Sequence, residues 1–236
     1  AVSGLFRMKD GASVRVVEPY GIRFTTEVGN DYTASLESVH SGKTFKFGTL
    51  LKITVDGVTK GMNIDAEKFV DTTGGRLYNT VVTDIPEGFF NTFITAESYV
   101  KVYDGETLVT TYYADNNGQT RSAAQVASGA LADGKTDAVL SEYVKNVEDF
   151  SFGGTTGTLM LGKSDLNDYL TINPSKITPV YKSGDETVAT VDKNGIITAK
   201  KTGEQVLITA TLGTKSASCT FTVGNEGVIY QSEEKL

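Results

Sequence analysis

Short segments of alternating hydrophobic and polar residues run through the chain, and this period of two predicts β-strands that bury one face. In the first 114 residues the strands are predicted at residues 13–17, 21–28, 47–55, 77–83, 93–103 and 107–114. Asp104-Gly105, between the last two strands, is a strong signal for a two-residue hairpin turn. The N-terminal part is therefore predicted to be a β-sandwich-like sheet structure.

Two segments with helical spacing follow these strands. Residues 120–131 are alanine-rich, and residues 136–147 carry an apolar stripe that includes Leu140, Tyr143 and Val147. Thr136 is expected to cap the second helix, with Asp137 near its positive end. The N-terminal domain is thus predicted to add two short helices to its sheets.

Beyond residue 157 the chain is rich in Thr and Ser, with short alternating runs and closely spaced turn signals. Asn194-Gly195 and Gly213-Thr214 each separate two such runs, as hairpin turns do. Alternation places Cys219, Phe221 and Val223 on one face, so this cysteine is predicted to be a small core residue. Short strands at this spacing predict a second, C-terminal β-sandwich.

Several motifs occur in a fixed order in this C-terminal region. They are Thr187-Val-Ala-Thr-Val-Asp192, Asn194-Gly195, Ile197-Thr-Ala199, Thr202-Gly203, Ile208-Thr-Ala210 and Ala217-Ser-Cys-Thr220. This series resembles the bacterial immunoglobulin-like domain of group 2, although Tyr181 stands where that family usually has Trp and Lys201-Thr202-Gly203 replaces its usual Ala-Gly. The resemblance implies an immunoglobulin-like spacer or stalk, as found in bacterial and phage surface proteins, in intimin- and invasin-type adhesins and in multidomain glycan-degrading proteins.

The N-terminal region carries a second, shorter set of motifs. Gly11-Ala-Ser-Val-Arg15, Gly21-Ile-Arg-Phe24, Tyr99-Val100 and Arg121-Ser122 resemble a domain that recurs in large secreted proteins of gut-dwelling Firmicutes. In those proteins it often stands beside group 2 immunoglobulin-like domains. The resemblance implies a surface or secreted protein and supplies no residue roles.

The composition excludes several classes of site. The chain has 236 residues with one His, one Cys and no Trp, which is too few ligands for a structural Cys/His zinc site and too few for an internal disulfide. A net charge of −7 offers no basic surface for nucleic acid or anionic lipid. Because no apolar run approaches the roughly 18 residues that span a bilayer, we expect no membrane insertion. We also expect no catalysis and no cofactor.

The segment Phe150-Ser-Phe-Gly-Gly-Thr-Thr-Gly157 has no hydrophobic periodicity and is typical of a linker. We therefore place a β-rich domain at residues 1–152, the immunoglobulin-like domain at residues 153–224 and a tail or linker at residues 225–236. The opening residues AVSGLFRMKDG show no signal peptide. Taken with the two resemblances, they predict an extracellular or bacterial cell-surface protein whose signal peptide has been removed.

The hairpin around Asp104-Gly105 carries the candidate binding site. A two-residue turn pairs Tyr103 with Glu106 and Glu97 with Tyr112, and alternation then gathers five residues on one face of the sheet. These residues are Glu97, Tyr99, Lys101, Tyr103 and Tyr112. Tyrosine rings flanked by charged groups suit a sugar, whose C–H face stacks on aromatic rings. The alternative is that the predicted helices cover this face and bury the tyrosines.

The remaining polar motifs are weaker candidates. Asp115-Asn-Asn-Gly118 and Asp192-Lys-Asn-Gly195 are predicted turns, the alternative being calcium loops, whose ligand spacing neither segment completes. His40 lies in a predicted loop with no second His to share a metal. Carboxylates such as Asp65, Asp71 and Glu97 belong to no recognisable catalytic motif, although a glycosidase needs only a suitable pair.

These observations predict a mainly β, two-domain, non-catalytic protein with an adhesion or binding role, whose C-terminal domain acts as a spacer. The expected partner is a host or cell-surface glycan or protein. The alternative is a carbohydrate-binding module associated with a polysaccharide-degrading system. The pattern leaves the oligomeric state open.

Overall fold

The structure, a computed structural model, describes residues 1–114, 118–148, 150–173 and 177–224. Strands make up 51% of it and helices 15%, which confirms the predicted mainly β fold. The chain forms two compact units, Ala1–Ala127 and Ser128–Leu236. Residues 115–117, which belong to one of the two segments compared with a calcium loop, and residues 225–236, the predicted tail or linker, lie outside the described residues.

The first unit is built from two five-stranded antiparallel sheets. Its strands are Phe6–Met8 (β1), Ser13–Arg15 (β2), Gly21–Gly29 (β3), Thr44–Val55 (β4), Val58–Asp65 (β5), Phe69–Thr72 (β6), Gly75–Thr83 (β7), Ile94–Asp104 (β8), Thr107–Tyr113 (β9) and Gln119–Arg121 (β10). The first sheet has the order β1-β3-β7-β6, with β2 also pairing with β3. The second has the order β10-β8-β4-β5, with β9 also pairing with β8.

The two sheets pack face to face around an aromatic and aliphatic core. Residues of the first sheet, among them Phe6, Val28 and Tyr78, form one cluster with Phe47 and Val100 of the second. Val28, Phe47 and Val100 lie on β3, β4 and β8, where the sequence predicts alternation, whereas Phe6 lies on β1, a strand that the sequence does not predict. Burial of this surface is the main favourable contribution to the stability of the unit.

Buried hydroxyl groups link the sheets across the middle of this core. Oγ1 of Thr26 lies 2.6 Å from Oγ of Ser98, and Oγ1 of Thr49 lies 2.7 Å from Oγ1 of Thr80. The Tyr78 hydroxyl donates a 2.6 Å hydrogen bond to a main-chain carbonyl of β4. Because buried polar groups must be paired, these bonds fix how one sheet faces the other.

Three helices accompany the strands, Asn30–Val39 (α1), Ala123–Ala132 (α2) and Ala138–Val144 (α3). The last two are the predicted helices. The start of α2 differs from the prediction because residues 119–121 form β10, and Oγ of Ser122 then accepts a 3.1 Å hydrogen bond from the Gln125 amide as a cap. The N-cap of α3 is Asp137 rather than Thr136, and its side chain makes no capping hydrogen bond. None of these described helices has the length and apolarity to cross a membrane.

The second unit contains a seven-stranded sandwich. The nine strands among the described residues of this unit are Ser151–Phe152 (β11), Thr156–Met160 (β12), Gly162–Asp165 (β13), Leu170–Thr171 (β14), Val180–Ser183 (β15), Ala189–Val191 (β16), Ile196–Ala199 (β17), Gln205–Leu212 (β18) and Lys215–Gly224 (β19), and seven of them form the sandwich. One sheet has the order β12-β19-β18-β15 and the other β13-β17-β16, while β11 and β14 form a small pair. Sheets of four and three strands are the immunoglobulin arrangement, so the predicted C-terminal fold is confirmed.

The core and turns of this unit follow the sequence closely. Cys219, Phe221 and Val223 are buried on one face of β19, and burial raises the pKa of the Cys219 thiol. Oδ1 of Asp192 accepts hydrogen bonds from the amides of Asn194 and Ile196, both at 2.9 Å, which is turn chemistry as predicted.

The segment that includes the end of α3 belongs structurally to the second unit. The Lys215 ammonium, at the start of β19, donates a hydrogen bond to the Val147 carbonyl. A methyl group added at Gly213 would lie 3.1 Å from Cγ2 of Val144. These contacts attach residues 144–147 to the hairpin of β18 and β19. The boundary near Gly153 stays a prediction.

Candidate functional site

The second sheet of the first unit has one face that is turned away from the core, and we call it the outer face. Strand alternation directs Val100 and Val102 inward, where both are buried, and directs their neighbours outward. The charged and tyrosine residues on the outer face include Lys46, Lys52, Asp65, Glu97, Tyr99, Lys101, Tyr103 and Tyr113. Four of the five residues in the predicted site lie here, and Tyr112 does not.

Tyr99 lies flat on this face, across the strand next to its own. Tyr99, Gly48 and Asp65 are register partners on β8, β4 and β5, and the Tyr99 hydroxyl donates a 2.6 Å hydrogen bond to Oδ1 of Asp65. The Lys101 ammonium lies 4.6 Å from the centre of the Tyr99 ring. Tyr99 is 0% exposed, and three of its neighbours, Gly48, Asp65 and Lys101, belong to its own sheet. Burial, followed by the hydrogen bond and charge of Asp65, raises the pKa of Tyr99.

The hairpin register differs from the prediction, and the difference divides the tyrosines between two faces. The two turn residues are Gly105 and Glu106, so that Tyr103 pairs with Leu108 rather than with Glu106. Thr110 then pairs with Val102, which leaves Val109 as the extra residue of a β-bulge. One extra residue exchanges the faces of everything after it.

Tyr112 therefore points into the sandwich rather than onto the outer face. It pairs with Val100 and packs against the aromatic core cluster. Its hydroxyl lies 2.8 Å from Nε2 of His40, at the end of α1. The expected loop histidine is thus half-buried and joins α1 to β9. Tyr112 holds a helix in place and is not part of a sugar platform.

Tyr113 takes the outer-face position that the sequence assigns to Tyr112. It pairs directly with Tyr99 and is 55% exposed. Tyr103 is half-buried on the same face, with the Lys46 ammonium 5.3 Å from the centre of its ring. No local signal reveals the bulge, and simple alternation along β9 therefore puts Tyr113 on the face opposite to that predicted for Tyr112, which is the core face.

A polar groove extends the outer face toward the other end of the sheet. Nζ of Lys52 and Oε2 of Glu97 form an ion pair at 2.7 Å, beside a groove of about 520 Å³. Two threonine hydroxyl pairs flank it, Thr54 with Thr59 at 2.7 Å and Thr95 with Thr120 at 2.9 Å. The groove therefore offers hydroxyl and charged groups that can donate and accept hydrogen bonds, with the ring of Phe93 also in its lining.

Comparison with known proteins gives only distant similarity. No protein-family model matches the chain, and a search of curated proteins finds no match. Among solved structures, the chain is similar to a C-terminal 282-residue fragment of intimin in complex with the intimin-binding domain of its translocated receptor, at 10% identity and a TM-score of 0.25. It covers 64% of that fragment, which in turn matches 94% of the chain.

Two further structures show the same level of similarity. A chimeric titin Z1Z2 carrying a peptide from decorin is 11% identical with a TM-score of 0.31, and the match covers 94% of the chain and 97% of the chimera. Domains 1–6 of the surface layer protein SbsC are 12% identical with a TM-score of 0.31, and the match covers 91% of the chain and 25% of those domains. These values are too low to assign a family.

The arrangement of the outer face suits binding. Its long side chains are held by neighbours, as Lys52 is by Glu97 and Tyr99 is by Asp65, so little rotamer entropy would be lost on contact. Two further carboxylates, Asp56 and Asp84, follow directly after strands and have a left-handed backbone, with φ of 51° and 53°. Among the described residues there is no group of three or more His, Cys, Asp or Glu side chains placed to hold a metal ion.

Proposed function

We propose that the chain is a non-catalytic binding protein of the extracellular space or the bacterial cell surface, with the first unit contacting the partner. The observation that carries this proposal is the outer face, an ordered array of charged and aromatic side chains with Tyr113 exposed beside the buried Tyr99. Function commonly resides in side chains that a rigid scaffold presents to solvent. The partner is a glycan or a protein of a host or cell surface.

The second unit is proposed to be a group 2 bacterial immunoglobulin-like domain that acts as a spacer. The motif series between residues 187 and 220 supports this assignment, together with the seven-stranded sandwich. Tyr181, in the position where the family usually has Trp, packs over Gly195 of the Asn194-Gly195 turn and donates a 2.9 Å hydrogen bond to Oδ1 of Asn167. It therefore fills a structural role within this unit.

A carbohydrate-binding module remains the second candidate, and the threonine-lined groove favours it. Hydroxyl pairs and the Lys52–Glu97 ion pair offer donors and acceptors that match the hydroxyls of a sugar. The tyrosines give it less support, because Tyr99 is covered and Tyr112 faces the core. A glycan would contact Tyr103 and Tyr113 instead.

Binding of the fluorescently labelled chain to intact epithelial cells and to a glycan array tests this proposal. The double variant Tyr103→Ala/Tyr113→Ala removes the accessible aromatic rings of the outer face. The matched control is Thr25→Ala/Asn79→Ala, which removes a hydrogen-bonded pair from the outward face of the opposite sheet. Loss of binding in the first variant alone supports the proposal. Equal binding by both variants, or no binding by the unmodified chain, would overturn it.

A further inference from the structure

Arg76 occupies an unusual position at one edge of the first unit. It shares the inward-facing side of β7 with Tyr78, and its Cζ lies 4.9 Å from the ring centre of Phe47 and 4.3 Å from that of Phe69. The two phenylalanine rings stand at 83° to each other, with their centres 6.1 Å apart. The guanidinium group therefore sits in a corner made of two aromatic faces.

The donors of this guanidinium group are not matched by acceptors. Nε of Arg76 is buried and has no hydrogen-bond partner, and within the described ranges no carboxylate forms an ion pair with the group. Asp71, its register partner on β6, is exposed. An arginine side chain stays protonated and carries five N–H donors. Contact with the rings offsets part of the cost of burying the charge but supplies no acceptor.

A cleft opens beside this group. Its volume is about 290 Å³, and its lining includes Phe45, Lys46, Phe47, Asp65, Phe69 and Arg76. This is at the lower end of the roughly 300–1,000 Å³ usual for small-molecule sites, so the cleft has room for one ring-sized group. Oδ1 of Asp65 is occupied by the Tyr99 hydroxyl, which leaves Oδ2 as an acceptor at the rim.

We propose that this cleft binds the carboxylate of a uronic-acid sugar. The carboxylate would take two parallel hydrogen bonds from Arg76, the geometry for which a guanidinium group is suited. The apolar face of the sugar ring would pack on the half-buried Phe45 and Phe69, since Phe47 belongs to the core, and one hydroxyl would donate to Oδ2 of Asp65. Lys46 also lines the cleft, so two cations would attract the anion at short range in a chain whose net charge is −7. The cleft shares Lys46 and Asp65 with the outer face, but the rings of Tyr103 and Tyr113 are not part of its lining.

A titration of the whole chain with sodium glucuronate, followed by amide chemical shifts in NMR spectra, tests the proposal. Glucose carries the ring without the carboxylate, and acetate carries the carboxylate without the ring. We expect glucuronate alone to shift the amides of Phe47, Phe69 and Arg76. An equal response to glucose would overturn the role of Arg76, and an equal response to acetate would overturn the assignment to a sugar.

Glucuronate binding by three variants distinguishes loss of the site from loss of the fold. Arg76→Met should weaken glucuronate binding roughly tenfold to a hundredfold, the value of one or two hydrogen bonds to a charged group. Arg23→Met, on the other face of the same sheet, should leave binding unchanged. Asp71→Asn removes the negative charge at the register partner of Arg76, so it should strengthen binding of an anion, and it tests the site even if Arg76→Met fails to fold. Undiminished binding by Arg76→Met, or weaker binding by Asp71→Asn, would overturn the proposal. Neither variant alters Tyr103 or Tyr113, so this result is independent of the outer-face experiment.

Discussion

The Tyr99 hydroxyl donates a 2.6 Å hydrogen bond to Oδ1 of Asp65, two strands away from its own, with its ring lying across Gly48 of the strand between them. This reach is possible because Gly48 has no side chain. A methyl group at that position would lie 2.4 Å from the Tyr99 hydroxyl and 2.5 Å from the carbonyl oxygen of Ile64. The glycine thus determines that Tyr99 lies flat rather than standing out from the sheet.

Gly48→Ala should therefore destabilise the first unit by about 1–3 kcal/mol, the usual cost of overpacking. Gly61→Ala is the matched control, since it lies on the adjacent strand and its added methyl group would find no atom nearer than 3.4 Å. The control should change stability by no more than about 0.5 kcal/mol. Urea unfolding of both variants measures the difference. Equal stabilities would show that Tyr99 does not lie across Gly48.

Tyr99→Phe should lower stability near neutral pH by about 1 kcal/mol, the value of one hydrogen bond. Burial and Asp65 raise the pKa of Tyr99 above its ordinary value of 10.0, so its contribution is complete below pH 10 and declines as the pH rises further. The difference in the free energy of unfolding between the unmodified chain and the variant should therefore become smaller above pH 10. Urea unfolding of both proteins at pH 8 to 11 measures this difference in free energy. A difference that stays constant over this range would contradict the burial of Tyr99.

The buried hydroxyl pair of Thr49 and Thr80 should behave as a unit. Thr49→Val and Thr80→Val each remove one partner and leave a buried hydroxyl with fewer bonds, at a cost of about 1–2 kcal/mol. The double variant removes both hydroxyls, so its loss should be smaller than the sum of the single losses, with a coupling of at least about 0.5 kcal/mol. Unfolding free energies of the four proteins give this coupling. Strict additivity would mean that the 2.7 Å contact contributes no energy.

Two glycines of the second unit test the packing of Tyr181. Gly195 and Gly203 have nearly the same left-handed backbone, with φ of 84° and 81°, but a methyl group at Gly195 would lie 2.7 Å from the Tyr181 ring and one at Gly203 would find nothing within 4 Å. Both alanine variants carry the strain of positive φ, about 1–2 kcal/mol. Gly195→Ala should lose more stability than Gly203→Ala in thermal unfolding. If the two variants melt at the same temperature, Tyr181 does not depend on this glycine.

Much of the fold follows from the sequence because it rests on local periodicity. The alternation in β3, β8 and β19 and the turn chemistry of Asp192 and Gly213 are visible in the residues themselves. The helix α1 is not visible, because only Tyr32 and Leu36 of its ten residues are buried. Two apolar positions make too short a stripe to indicate a helix.

The candidate site is predicted less completely, for a different physical reason. The residues that alternate along β8 are correctly assigned to the outer face. On the partner strand β9, however, the bulge at Val109 decides which residues point outward. No residue type demands a bulge there, and packing of Tyr112 against the core and His40 decides the register. Arg76 gives no sequence signal at all, because its surroundings come from three separate strands.

Two adjacent tyrosines provide the most direct test of the outer face. Tyr113→Ala removes an exposed ring from this face, and Tyr112→Phe, one residue away on β9, removes only the hydroxyl group next to His40 on the other face. The measurement is binding of the two labelled variants to the cells or array glycans that retain the unmodified chain. The proposal predicts that Tyr113→Ala loses most of the binding and Tyr112→Phe keeps it. Retained binding by Tyr113→Ala, or an equal loss in both, would contradict it.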